Sequence, residues 1–219
     1  MIVAIDGYSS SGKSTLAKDL ARNLGFIYVD TGAMYRAIAL YFLTNEIDLS
    51  DEILVQDSLN NITVSFENKD GENCVTLNGQ DVSKEIRTLE VSQIVSEVAA
   101  IPAVRKKLVA IQQGLATKSL VMDGRDIGTV VFPNAEYKFF IIADVGERSR
   151  RRYVELISKG QEVSYAEVEE NLKHRDHIDT TRAMSPLRQA EDAVCIDTTK
   201  VTREEQLEIA IKAIERKQI

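Results

Sequence analysis

The chain has 219 residues, of which 44 % are hydrophobic and 28 % charged, and a formal net charge of -7. That length can bury a substantial core, no apolar run comes near the ~20 residues a membrane span requires, and the acidic balance argues against the basic face of a nucleic-acid binder. Cys74 and Cys195 lie far apart, with no Cys or His nearby at metal-ligand spacing, so structural thiols are expected and not a disulfide or zinc site.

Residues 2–6, IVAID, are apolar and β-branched without polar alternation, which predicts a strand buried on both faces of a parallel sheet. No basic region followed by a sustained apolar segment stands at the N-terminus, so it reads as this strand and not as a signal peptide, and a cytosolic protein is expected. The segment GYSSSGKST (7–15) follows at once. Leu16, Leu20 and Leu24 then recur at helical spacing up to Gly25, which predicts a helix over 13–25 with a glycine stop.

GYSSSGKS satisfies the G-x-x-x-x-G-K-[ST] pattern, and the strand before it and helix after it supply the context a bare pattern lacks. Gly7 and Gly12 let the loop bend so that its N–H groups, those of Tyr8, Ser9, Ser10 and Ser11 among them, point at phosphate oxygens. Tyr8 occupies a free position and is expected to supply only its backbone. Lys13 is expected to pair with the β- and γ-phosphates, Ser14 to ligate Mg²⁺ and Thr15 to support the α-phosphate side. This points strongly to a nucleoside triphosphate such as ATP and says little about where its phosphate goes.

Further apolar strands are predicted at 26–30, 119–124, 137–143 and 193–197, with a helix at about 33–43 and helical segments between the rest. The fold class is therefore α/β, a doubly wound five-stranded parallel sheet. Thr202 and Glu205 form a capping box ahead of Leu207, Ile211 and Ile214, which predicts a last helix. Two stretches break the alternation. Short runs joined by KDGEN and NGQD between 61 and 83 predict a small antiparallel insertion, and roughly 146–188, with RSRRR and HRDHIDTTR on polar helices, reads as a mobile helical lid.

Transfer to a small phosphorylated acceptor requires arginines around a cleft, because guanidinium grips phosphate oxygens in a planar fork. Arg36, Arg87, Arg125, Arg148, Arg152, Arg175 and Arg182 stand near strand ends or on the lid. If 175–182 is helical, Arg175, Asp179 and Arg182 share one face; a solvated charged surface is the other reading of that face. Within RSRRR two or more of the arginines are expected to face solvent, Arg148, Arg150 and Arg151 being the candidates. His174 and His177 are taken as solvated polar residues and not as a general base. Asp123 ends an apolar strand beside the phosphate loop, where a carboxylate either orders Mg²⁺ or merely caps the strand.

DTGAMYR (30–36), EIRTLEVSQIVSEVAAIPAVR (85–105), DGRDIGTVVFP (123–133) and RDHIDTTRAMSPL (175–187), together with the phosphate loop, resemble bacterial cytidylate kinase along nearly the whole chain. The resemblance implies a single P-loop NTPase domain of the nucleoside monophosphate kinase type over 1–219, with a monophosphate-binding insertion at 34–100 and the lid at 146–188. It implies transfer of the γ-phosphoryl group of MgATP to CMP or dCMP. Thr31, Arg36 and Arg125 would hold the acceptor's ribose or phosphate, with Gly124 beside them. Ser96, Arg105 and Asp126 would read the cytosine, the carboxylate accepting from its exocyclic amine where uracil presents an oxygen.

Asp123 and Ser14 would serve the metal, Asp179 would reach the sugar hydroxyl, and Arg152, Arg175 and Arg182 would neutralise the transferred group together with Lys13 and Arg125. Some relatives carry glycine at Ser14 or serine at Thr31, changes that keep the small or hydroxyl character, and some carry extra lid arginines where Ile178 and Thr180 stand, so the phosphate loop's role is more firmly implied than that of each lid arginine. A monomer is expected, with small-molecule partners only. The alternatives are a kinase of UMP, AMP or shikimate, against which DGRDIGTVVFP argues, and an ATP-binding regulatory module without transfer.

Overall fold

The computed structural model describes residues 1–69 and 72–217. In chain order the elements are β1 (Ile2–Gly7), α1 (Lys13–Leu24), β2 (Ile27–Asp30), α2 (Thr31–Thr44), α3 (Glu52–Asn60), β3 (Val64–Lys69), β4 (Glu72–Leu77), β5 (Gln80–Asp81), α4 (Leu89–Ala100) and α5 (Pro102–Gly114). They continue with β6 (Leu120–Gly124), β7 (Tyr137–Ile142), α6 (Val145–Ser158), α7 (Tyr165–Thr181), β8 (Val194–Asp197) and α8 (Arg203–Lys217). Contacts divide the chain into two compact units, Met1–Tyr28 with Ala116–Ile219, and Val29–Leu115. The second unit is wider than the insertion expected at 34–100.

The first unit is built on a five-stranded sheet of order β2-β6-β1-β7-β8, with β2 at the edge where the chain leaves the unit. β1 pairs in parallel with β6 from Ile2↔Leu120 to Asp6↔Gly124, and with β7 from Val3↔Tyr137 to Gly7↔Ile141. Flanked on both edges and covered on both faces, Val3, Ala4 and Ile5 are fully buried, as their unbroken apolar run predicts. Leu16, Leu20, Ile196, Ala210 and Ile214 close the core from α1, β8 and α8, each large aliphatic side chain contributing about 1.5–3 kcal/mol of burial. β8 is more exposed than the others because one edge and much of its surface face water.

Helix ends follow their capping chemistry. Gly25 ends α1 in the left-handed region, φ 69°, and its N–H donates to the Ala21 carbonyl. The box at α8 is present, with the Thr202 N–H donating to Glu205 at 2.7 Å and the Glu205 N–H to the Thr202 hydroxyl at 3.2 Å. A second box, Ser164 with Glu167, starts α7. Between α6 and α7 the apolar stripe amounts to Leu156, Val168 and Leu172 with Tyr153 and Val163, a thin core consistent with polar helices.

In the second unit α2 begins at Thr31, two residues before the predicted start, because the Asp30 carboxylate accepts from the Ala33 N–H at 3.1 Å and caps the helix there. Its buried face of Met34, Ile38 and Phe42 packs with Val91, Val95 and Val98 of α4 and Leu108 of α5. The antiparallel insertion is a three-stranded sheet, β3-β4-β5. NGQD makes the expected tight hairpin: Asn78 and Gly79 lie at φ 50° and 80°, the two positive values a two-residue primed turn needs. Asp70 and Gly71 of the KDGEN turn fall outside the described residues.

Candidate active site

The phosphate loop leaves β1 at Gly7 and enters α1 at Lys13, bending through Ser10 at φ 59° and Gly12 at φ 90°. Its carbonyls are tied from outside. The Thr198 hydroxyl donates to the Ser11 carbonyl at 2.7 Å, the Gln206 amide to Gly12 at 3.2 Å and the Arg148 guanidinium to Ser9 at 3.3 Å. Because each peptide plane carries its N–H opposite its C=O, anchoring the carbonyls outward turns the N–H groups inward, where they form an anion cradle. Gly12 caps α1 with no side-chain hydrogen bond, so the helix's first N–H groups are kept for that cradle. The buried Lys13 ammonium donates to the Tyr8 carbonyl at 3.2 Å, and Thr15 is exposed.

The run RSRRR behaves differently from the expectation. Arg148 is buried, not solvated: it donates to the Ala143 and Ser9 carbonyls, pairs with Asp176 at 2.7 Å and lies 5.1 Å from the centre of the Tyr8 ring. Tyr8 therefore contributes its ring as well as its backbone, and the ring also meets Phe140 edge-on at 6.2 Å. Arg151 donates to the Thr198 hydroxyl at 3.1 Å and carbonyl at 2.6 Å, while Arg152 pairs with Glu155 at 2.8 Å. Only Arg150 is strongly exposed in this run. The signal was helical spacing: 148, 151 and 152 fall on one face of α6 and 150 on another. Arg87 is exposed and donates to the Ser83 carbonyl, and His174 and His177 are exposed as expected.

Asp123, at the end of β6, is buried and accepts from the Ser14 hydroxyl at 2.6 Å and from the Tyr28 hydroxyl at 2.9 Å. A carboxylate and a hydroxyl meeting at the N-terminus of α1 are the hard oxygen donors Mg²⁺ takes, usually through one or two protein groups plus water and phosphate. The residues present fit that ion.

Beyond Gly124 the chain turns through Arg125 and Asp126 into a single π-helical turn, Ile127–Val131, a geometry frequent at functional sites. Asp126 is 3 % exposed. Arg125 reaches α7, where its Nε donates to Asp179 at 2.8 Å, and Arg182 approaches the same carboxylate at 3.2 Å. Arg182 is fixed in turn by two bonds to the Ser185 carbonyl, at 2.9 and 2.7 Å. Arg175, Asp179 and Arg182 are all buried, so the shared face is internal and not a solvated surface.

Burial alone would raise the Asp179 carboxyl, but Arg125, Arg182 and Arg175 outweigh it and hold the group below the ordinary carboxylate range. Replacing Asp179 with asparagine leaves these cations uncompensated and is expected to cost about 3 kcal/mol at pH 7. The sign with pH follows from the depressed value: the carboxylate's contribution is present above about pH 4 and is lost as pH falls below it, so the difference between wild type and variant narrows there in thermal melts.

In the second unit Thr31 begins α2, 2 % exposed, and Arg36 stands one turn further, with its Nη1 only 3.3 Å from where a Cβ on Gly32 would lie. Arg105 on α5 is 1 % exposed; it donates to the Ala99 carbonyl at 3.1 Å, and its guanidinium carbon lies 5.3 Å from the centre of the Tyr35 ring. Such a planar cation held on an aromatic face is oriented before any ligand arrives. Ser96 is buried on α4.

No helix among the described residues is long and apolar enough to cross a membrane, and no cluster of three or more His, Cys, Asp or Glu fit for a metal occurs among them. Cys74 and Cys195 are free thiols.

The cytidylate kinase family model matches residues 3–216. A cytidylate kinase of Cytophaga hutchinsonii is 53 % identical over 211 residues, covering 95 % of this chain and 90 % of that protein. One from Lactobacillus johnsonii is 45 % identical over 219 residues, covering 100 % and 95 %. Among solved structures, a protein from Eubacterium ventriosum aligns over 98 % of both chains with a TM-score of 0.50 at 15 % identity, which bears on the fold alone. Matched along almost its entire length by that model and by relatives this similar, the chain belongs to the cytidylate kinase family.

Proposed function

We propose that this protein transfers the γ-phosphoryl group of ATP to CMP or dCMP, giving ADP and the diphosphate. The observation that carries the reading is the register of β1 with β6. Asp6 stands opposite Gly124, so the phosphate loop and the Arg125–Asp126 turn leave neighbouring strands side by side at their C-terminal ends, where open α/β sheets bind ligands. Donor chemistry and acceptor chemistry thus start from adjacent backbone positions.

Transfer is direct and in line: an oxygen of the acceptor phosphate forms a bond to the γ-phosphorus as the bond to the β,γ-bridging oxygen breaks. Position and charge supply most of the catalysis in such a reaction. The N–H cradle of Gly7 to Thr15 and the Lys13 ammonium hold the donor. Ser14 and Asp123 would hold Mg²⁺, which would supply positive charge to offset that of the triphosphate.

Arg125, Arg36, Thr31 and Gly124 serve the acceptor, the two arginines by gripping its phosphate. Asp179 takes the sugar hydroxyl, and Arg152, Arg175 and Arg182 offset the negative charge of the moving group from the lid side. Cytosine is read by Ser96, Arg105 and Asp126. The protein acts as a monomer in the cytosol.

A coupled assay of ADP release with MgATP against CMP, dCMP, UMP, AMP and shikimate tests this. Expected is fast turnover of CMP and dCMP, UMP slower by at least about 10²-fold in kcat/KM because it leaves the buried Asp126 acceptor unpaired, and loss of that preference in Asp126→Ala. Turnover of a different acceptor overturns the cytosine assignment while keeping the phosphate-loop chemistry. ATP binding without turnover of any acceptor favours the regulatory module.

A further inference from the structure

The π-helical turn Ile127–Val131 has no side-chain cap of its own: its preceding residue, Asp126, makes none. The first N–H groups of any helical turn lack partners within it, and here the first two, of Ile127 and Gly128, are taken by a residue far away in sequence. Asp6, the penultimate residue of β1, accepts from the Ile127 N–H through Oδ1 and from the Gly128 N–H through Oδ2, each at 2.8 Å. The side chain is 4 % exposed.

Gly128 is closely packed. A Cβ there would lie 3.1 Å from Lys138 Cδ and 3.4 Å from Asp6 Oδ2. Lys138 is itself held by the Pro133 carbonyl at 2.6 Å and Asp192 at 2.8 Å. The backbone immediately after Asp126 is thus held by a carboxylate, and the alkyl stem of Lys138 leaves no room for a side chain at Gly128. Burial and the neighbouring Asp126 push the Asp6 carboxyl up, to about 7, against the pull of its two N–H donors and Arg125, so the group is costly to keep and an apolar residue would be cheaper in an otherwise apolar strand.

We infer that Asp6 is a positioning residue for acceptor recognition: by holding the Ile127 and Gly128 N–H groups it fixes the path of the chain through Arg125 and Asp126, and with it the choice of base. This rests on the reading that Arg125 and Asp126 take the acceptor. Asp6 directly precedes the phosphate loop, so a merely structural role would disturb ATP at least as much as the acceptor. A positioning role would not.

The test uses Asp6→Asn, which keeps the shape but turns one acceptor into a donor facing an N–H, and Gly128→Ala, which disturbs the same bond from its other end with the sequence of β1 unchanged, its methyl meeting Lys138 Cδ and Asp6 Oδ2. KM for CMP, KM for ATP, kcat and the CMP-to-UMP ratio of kcat/KM are measured beside thermal melts. The expected result in both variants is a KM for CMP raised about tenfold, as the loss of one buried hydrogen bond implies, a fall of similar size in the CMP-to-UMP ratio, and a KM for ATP within about twofold of wild type. An ATP KM that rises as far as that for CMP, or loss of the folded state in both variants, assigns Asp6 to the fold alone and overturns the inference. Wild-type protein that shows no preference for CMP sinks the acceptor reading and the inference with it. Preference present in wild type and retained in both variants sinks the inference alone.

Discussion

Replacing Lys13 with methionine is expected to lower kcat by about 10³-fold or more with the fold intact. Methionine keeps the length and the apolar stem, so the buried position at the start of α1 stays filled. What is lost is one positive charge aimed at the phosphates in a partly desolvated loop, and single groups that stabilise developing charge in such surroundings are worth about 10²–10³-fold, phosphoryl-transfer arginines more. The bond from the ammonium to the Tyr8 carbonyl is not what shapes the loop, because Thr198, Gln206 and Arg148 hold its other carbonyls. Thermal melts within a few degrees of wild type, with ADP release nearly abolished, are the expected pair of readings. A kcat within about tenfold of wild type would move the charge stabilisation elsewhere.

Gly7→Ala is expected to cost more than about 4 kcal/mol, placing it among the most damaging single substitutions a folded protein shows. Two effects combine. Gly7 has φ 153°, which side chains rarely adopt, and an added Cβ would overlap the Ile141 carbonyl oxygen and stand 3.1 Å from its carbon. Those are backbone atoms of β7, paired with β1 at this position, so relief requires prying apart the centre of the sheet. For a chain of this length, about 4 kcal/mol corresponds to a fall in Tm of roughly 8–16 °C. Two controls set the scale: Gly114→Ala, with nothing within 4 Å of the new methyl and no unusual φ, should be neutral or slightly stabilising in a helix, and Gly25→Ala, uncrowded but at φ 69°, should cost about 1 kcal/mol.

Features that depend on neighbours in sequence were readable. The phosphate loop, the parallel strands, the capping box at α8 and the primed turn at Asn78–Gly79 are each written within about a dozen residues, because hydrogen bonds and φ preferences at that range are local. The fate of each arginine was not. RSRRR contains one exposed side chain and one that is buried against a tyrosine ring, and composition cannot tell them apart, although the helical period could have separated Arg150 from Arg148. Asp6 is not legible in the sequence, for a different reason. Its partners are Ile127 and Gly128, 121 and 122 residues on, and no local pattern reaches that far. Its one local sign was an acidic residue ending a strand with no solvent side.

The order of the central sheet also has a consequence for the growing chain. β1 leaves the ribosome before the other strands of its sheet, yet its two neighbours are β6 and β7, and the first of these begins at Leu120. At about 5–20 residues per second, an apolar strand with both edges open waits several seconds for company. In that interval the residues of the second unit, whose contacts fall largely among themselves, are complete. Those local contacts close at little entropic cost, while the distant pairings of β1 are slow by the same reckoning. The stage most exposed to aggregation or to chaperone capture is therefore the one before β6 and β7 arrive, so a nascent chain that has cleared the ribosome only as far as Leu115 would display β1 unpaired while residues 29–115 are already complete.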